Sequence, residues 1–116
     1  MKIEMLKSKI HRAIVTGANI NYSGSVAIDH ALCKAVELRE WEKVDVLDID
    51  NGARLTTYVI FGEPGEVCLN GAAARRVQTG DRVIIVSYAQ FDEEEAANHR
   101  PRVIIVDEHN QISQHI

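Results

Sequence analysis

Residues 22–29 read Tyr-Ser-Gly-Ser-Val-Ala-Ile-Asp, and the Gly24-Ser25 link among them can react with itself. A serine hydroxyl that reaches the carbonyl carbon of the preceding residue turns the amide into an ester. Elimination then breaks the chain and leaves a dehydroalanine, which hydrolyses to a pyruvoyl group. The attack needs the hydroxyl at an unusual angle to its own backbone, so this reading expects a strained conformation held by its surroundings. Glycine at 24 would serve twice, reaching backbone angles closed to other residues and offering an unhindered carbonyl. Ser23 competes for the role, with the bulkier Tyr22 before it. A Gly-Ser pair alone is more often a plain turn, and at this point both readings stand.

The elements that must position such a pair are short and mostly extended. Residues 9–15 alternate as a strand does, with Ile10, Arg12 and Ile14 on one face and Lys9, His11, Ala13 and Val15 on the other. Residues 16–25 read as a turn, and 25–28 resume β character. Asp29 then caps a short helix through 38, with Leu32, Ala35 and Val36 on its apolar stripe. The runs 43–49 and 54–61 are strands joined at an Asn51-Gly52 turn. Residues 63–66 form another turn, 67–69 a brief extended run, and 70–77 one or two helical turns capped by Asn70. Two strongly apolar strands follow at 82–91 and 102–107. Residues 92–101 read as a charged surface loop or a short exposed helix, and 108–116 as a mobile tail.

About six short strands with two or three small helices predict a mainly β fold, a small barrel or sandwich, in a single domain over 1–116. The apolar runs 83–86 and 103–106 do not alternate cleanly, which indicates strands covered on both faces, in part by a neighbouring subunit. Aromatic residues are only 5% of the chain, so the core must come from Val, Ile, Leu and Ala. A net charge of −4 with no basic stripe argues against nucleic acid as a partner. No stretch is long and apolar enough for a membrane span, and the opening residues lack a signal peptide's apolar centre, so the expected location is the cytoplasm. Cys33 and Cys68 form no CxxC and are expected to be reduced, and the five histidines show no ligand spacing with them, so no metal is expected.

Four stretches change the balance at Gly24-Ser25. They are MLKSKIHRA (5–13), YSGSVAID (22–29), NGARLTTYVI (51–60) and NGAAAR (70–75), in this order and spacing. With them the chain resembles the pyruvoyl-dependent aspartate 1-decarboxylases, from about residue 3 to about residue 107. The resemblance implies a double-psi β-barrel, a homotetramer with active sites between subunits, and self-cleavage between Gly24 and Ser25. Composition and periodicity permit these three and show none of them. It also implies decarboxylation of L-aspartate to β-alanine for pantothenate synthesis, with a pyruvoyl group made from Ser25 in place of pyridoxal phosphate. A maturation factor is a further partner that this reading admits.

By the same resemblance Tyr58 is the proton donor, and Thr57 serves processing and the substrate site. Gly71, Ala72 and Ala73, with Asn70 beside them, match the substrate-binding backbone. Lys9, His11 and Arg54 match polar residues lining the pocket. The chemistry is coherent: the pyruvoyl ketone condenses with the substrate amine and draws off the electrons that CO2 leaves behind. One acid must then protonate Cα, and a phenol suits. Arg54 offers a planar fork for the surviving carboxylate. In a regular strand, however, Arg54 and Tyr58 stand about 13 Å apart, with Thr57 on the opposite face. A pocket shared by two subunits resolves this, and a bulge near Thr56-Thr57 is the other resolution; the shared pocket is the favoured reading.

The remaining residues are given bland roles. Arg75 and Arg76 are expected to face solvent, Trp41 to pack on the barrel, and 92–95 to be a solvated charge run. The competing functions are a non-enzymatic β-barrel binding module with an intact chain, and a pyruvoyl decarboxylase for another acidic amino acid.

Overall fold

The computed structural model describes all residues, 1–116. Nine strands form one mixed sheet: β1 (Lys2–Ile14), β2 (Gly17–Asn19), β3 (Ser25–Asp29), β4 (Lys43–Asp48), β5 (Arg54–Gly62), β6 (Val67–Asn70), β7 (Arg82–Asp92), β8 (Arg102–Val106) and β9 (Ile112–His115). Their order is β2-β6-β3-β5-β4-β7-β1-β8-β9. Three pairings are parallel, β1 with β8, β2 with β6 and β3 with β5, and the rest antiparallel. The sheet curls on itself, since beyond β1 the Val15 N–H donates to the Asp81 carbonyl and the Thr16 N–H to that of Val67. This mainly β architecture is consistent with a double-psi β-barrel.

The interior is built of β-branched residues, as the scarcity of aromatics required. Ile10, Val26, Ile28, Val44, Val46, Val59, Leu69 and Ile85 are almost wholly buried. Cys33 lies among them as a packing residue, its thiol pushed up to about 12 by burial, so it stays protonated. Helix α1 (His30–Val36) starts where the sequence predicts, with Asp29 accepting from the Ala31 N–H at 2.8 Å. Helix α2 (Glu93–Asn98) is the short exposed alternative for the charged segment, closed by an Asp92–Glu95 capping box and burying no residue.

Several expectations need correction. There are nine strands rather than about six, because β2 and β9 are short ladders without a strong pattern and the brief run at 67–70 pairs as a full strand; β1 is also longer than expected, reaching back to Lys2. The alternation along β1 breaks at Arg12, whose φ of +70° and shifted register with β7 mark a bulge. Ser8 and Ile10 point inward before it, Ala13 and Val15 after it, so Ala13 and Val15 share the core with Ile10. The tail is not free: β9 pairs with β8, and the buried Asn110 side chain bonds to both backbone groups of Ile14 and to the Gly65 carbonyl. Trp41 does not pack on the barrel but is 76% exposed.

Candidate active site

Ser25 begins β3 and is 1% exposed. It pairs across the antiparallel ladder with Asn70, the last residue of β6. Asn70 occupies the cap position of a 3-10 helix (Gly71–Arg75), yet its side chain makes no cap bond. It turns instead to Ser25, donating from Nδ2 to Oγ at 3.0 Å, while the Ser25 hydroxyl donates to the Ser23 carbonyl at 3.1 Å. The expected capping role thus gives way to the buried hydroxyl, which has no solvent to turn to.

Gly71 follows Asn70 with φ +63°, and a Cβ there would lie 2.7 Å from Gly24 Cα and 3.0 Å from the Tyr22 carbonyl oxygen. Only glycine lets the 3-10 helix back so closely onto the Tyr22–Gly24 segment. Gly24 itself is not in the left-handed region, and a Cβ there would meet nothing within 4 Å. The expected reason of special backbone angles at 24 is therefore not seen, and the open carbonyl is the one that remains.

Two cavities flank this segment. One, of about 460 Å³, is lined by Tyr22, Ser23, Ser25, Trp41, Tyr58 and Ile60. The other, of about 440 Å³, brings Gly24 against Leu55, Thr57, Tyr58, Ala72, Ala73 and Arg76. Tyr58 borders both. Ser25, Asn70, Gly71, Ala72, Ala73, Thr57 and Tyr58 thus come together within a single chain. Arg76 is exposed as expected, but it lines the cavity, a role its place after an Ala run gave no sign of. Trp41 was missed for a similar reason: an isolated Trp reads as core, whereas φ +71° and a hydrogen bond from its N–H to the Val59 carbonyl turn it outward.

Lys9, His11 and Arg54 line neither cavity; they lie on the outer face of the sheet, a face that Tyr58 shares by its even spacing from Arg54 along β5. Arg54 stands opposite Leu47, Leu47 opposite Ile84, and Ile84 lies between the two pairings that bracket the bulge at 11–12. Lys9 pairs with Val86 on the same face. From β5 to β1 this row spans three strand spacings, about 14 Å. The strand β5 carries no bulge: its ladder with β4 runs unbroken from Lys43–Tyr58 to Leu47–Arg54. The irregular-strand resolution is therefore wrong, and Arg54 and Tyr58 keep the spread of a regular strand. His11 is half-buried with Nδ1 enclosed and unpartnered. Burial first, then Lys9 and Arg12, lower its pKa below the ordinary value, which keeps the ring neutral at physiological pH.

A family model described as aspartate decarboxylase matches residues 1–113. The chain belongs to the aspartate decarboxylase family. Among its relatives, the aspartate 1-decarboxylase of Clostridium kluyveri is 60% identical over 116 residues, covering 98% of this chain and 91% of that protein. The protein of the same name from Wolinella succinogenes is 57% identical over 116 residues, 98% of this chain and 96% of the relative. That of Helicobacter pylori is 54% identical over 113 residues, 97% of each. Membership spans the whole aspartate decarboxylase fold, both cavities and the outer row alike. No helix of this family member is long and apolar enough to cross a membrane.

Proposed function

We propose that this chain decarboxylates L-aspartate at its α-carboxylate, giving β-alanine and CO2 for pantothenate synthesis, after cutting itself between Gly24 and Ser25. The observation that carries the reading is the buried Ser25 hydroxyl, held between the Asn70 amide and the Ser23 carbonyl beside a cavity bordered by Tyr58. The relatives' shared name sets aside the non-catalytic barrel.

In the cleavage, Ser25 Oγ bonds to the Gly24 carbonyl carbon, the Gly24–Ser25 C–N bond breaks, and the hydroxyl proton ends on the freed amine. Loss of the Ser25 Cα proton then expels Gly24 as a carboxylate that keeps the former Oγ. The dehydroalanine left behind tautomerises, takes up water and releases ammonia, giving the pyruvoyl group. The site fits that group, since it is made from Ser25 itself, at a position that is buried yet borders a cavity. When formed, the pyruvoyl group supplies the sink for the electrons of the bond to CO2.

The chain's own residues do the rest. The small side chains of Ala72 and Ala73 leave room for substrate beside Gly24. Tyr58, whose hydroxyl has no partner within the protomer, delivers the proton to Cα. Thr57 supports both cleavage and substrate binding from the same cavity. Arg54 grips the carboxylate that survives, and Lys9 and His11, about 14 Å away across β4 and β7, add polar groups to the rim of the pocket. Since none of the three lines either cavity of its own chain, they serve the cavity of a neighbouring protomer, in a homotetramer with sites between subunits. The exposed Tyr22, Trp41 and Tyr58 support this reading, as large apolar groups around a cavity that a neighbour would cover.

Intact-mass measurement on denatured protein tests the proposal. Two chains, 1–24 and 25–116, the second blocked by a pyruvoyl end, are expected, and Ser25→Ala should leave one full-length chain and no β-alanine. An unbroken wild-type chain that still makes β-alanine would refute it. A wild type that cleaves only on addition of cell extract would assign a maturation factor.

A further inference from the structure

The hydrogen-bond chain behind Ser25 does not end at Asn70. Asn70 Oδ1 faces the Cys68 thiol at 3.5 Å, while Nδ2 donates to Ser25 Oγ at 3.0 Å. Cys68 and Asn70 are two apart on β6, the strand that sets Asn70 opposite Ser25. We propose that Cys68 is a positioning residue for chain cleavage, its S–H holding the Asn70 amide with the NH2 end turned toward the Ser25 oxygen. The proposal rests on the self-cleavage reading given above.

The two ends of an asparagine amide are alike in shape and opposite in hydrogen-bonding sense, so the partners decide which way it points. A protonated thiol offers a donor to Oδ1 and very little to an NH2. Burial, and then the Glu66 carboxylate, raise the Cys68 pKa above its ordinary value, so the thiol keeps its proton at neutral pH. The other acceptor in reach, the Leu69 carbonyl, is farther at 4.0 Å. Neighbouring backbone leaves the sulfur its space: Gly17 pairs with Cys68 across β2 and β6, and a Cβ on Gly17 would come within 3.2 Å of Sγ.

The orientation matters to the attack. As the hydroxyl proton departs, negative charge gathers on Ser25 Oγ, and it passes to the Gly24 carbonyl oxygen once Oγ bonds to the Gly24 carbonyl carbon. An Asn70 N–H already aimed at Oγ stabilises the first of these stages, the formation of the nucleophile, without rearrangement. With the amide reversed, Oδ1 would accept the Ser25 hydrogen and set its own partial negative charge against the nucleophile.

Three substitutions test this. Cys68→Ala removes the donor, Cys68→Val fills the sulfur's space without one, and Cys68→Ser restores one. Uncleaved full-length chains are incubated and the disappearance of the 13.0 kDa species is followed by intact mass. The Ala and Val variants should cleave roughly tenfold more slowly, the scale of one lost hydrogen bond, and Ser within about twofold of wild type. Melting temperature read on each uncleaved chain separates slow chemistry from poor folding. Wild-type rates in both Ala and Val, or a Ser variant as slow as they are, would overturn the role of Cys68 while leaving self-cleavage intact. A wild-type chain that never cleaves would overturn both.

Discussion

The Tyr58 phenol borders both cavities beside Ser25, and its hydroxyl has no hydrogen-bond partner in its own protomer. Tyr58→Phe should therefore leave cleavage intact and lower turnover by about 10²–10⁴, the usual span for losing a positioned acid. Full turnover in cleaved Tyr58→Phe protein would remove Tyr58 from proton delivery. A second residue-scale prediction lies away from the site. Asp48 is buried, its Oδ1 accepts from the Asp50 and Asn51 N–H groups, and its Oδ2 has no partner. The nearest carboxylate oxygens of Asp48, Asp50 and Asp81 lie within 4.8 Å of one another, and Asp50 is already paired with Arg82 through both its oxygens. Burial first, and then the hydrogen bond to Asp81 that only a protonated Asp48 carboxyl can make, raise the Asp48 pKa. A raised folded pKa gives stability that is present in acid, below the unfolded carboxyl's value, and lost as pH rises through the folded value. Asp48→Asn keeps the turn acceptor, turns an N–H toward Asp81 and removes the charge. Its melting temperature should exceed wild type at neutral pH, by about 4–8 °C per kcal/mol in a domain of this size, with the gap closing in acid. A variant that melts no higher at neutral pH would show that the buried charge carries no penalty.

Elements bring the site's pieces within reach of one another. The 3-10 helix can press on the Tyr22–Gly24 segment only because Gly71 is left-handed and lacks a side chain. Gly71→Ala meets both obstacles at once, so it should destabilise the chain by about 1–3 kcal/mol and slow cleavage as Gly24 is pushed aside. Calorimetry and intact mass read the two effects; an unshifted melting temperature with normal cleavage would mean that the segment yields freely. At the other end of the chain, Asn110 pins the final turn through three hydrogen bonds and takes φ +57°. Asn110→Ala should cost about 1–3 kcal/mol by leaving buried backbone groups unpaired, and amide exchange over 112–116 should quicken as β9 leaves β8.

At the scale of the whole molecule, the site residues fall into two sets that one protomer does not unite. Ser25, Thr57 and Tyr58 line the cavities, with Asn70 bonded to Ser25, whereas Lys9, His11 and Arg54 line neither, Arg54 standing a regular strand's spread from Tyr58 and the other two across the sheet from it. If neighbours complete each other's sites, mixing chains carrying Arg54→Ala with chains carrying Tyr58→Phe should rebuild intact sites. Random reassembly of equal amounts should return about a quarter of wild-type activity from two nearly inactive parents. Activity no greater than the parents' mean, in mixtures shown by native mass spectrometry to have exchanged subunits, would put both residues in the same site.

The sequence by itself determined the local features and the family. Asp29 as a cap, the Asn51-Gly52 turn and the Val/Ile core follow from short-range rules that a few neighbouring residues settle, while for the segment after Asp92 those rules leave a loop and a short exposed helix both open. The Gly24-Ser25 pair by itself leaves a plain turn and a self-cleaving link both open, and only the four stretches that carry the family resemblance shift the balance. What only the tertiary structure decided involves partners distant along the chain. Asn70 abandons its cap for a hydroxyl 45 residues away, a bulge at Arg12 reverses the faces of β1, and the tail becomes a strand because β8 offers an open edge. Trp41 turns outward through a hydrogen bond to Val59, and Arg76 arrives at the cavity through the turn of a 3-10 helix. Local propensity carries no term for such contacts, since each is fixed by which strands the closed sheet sets side by side.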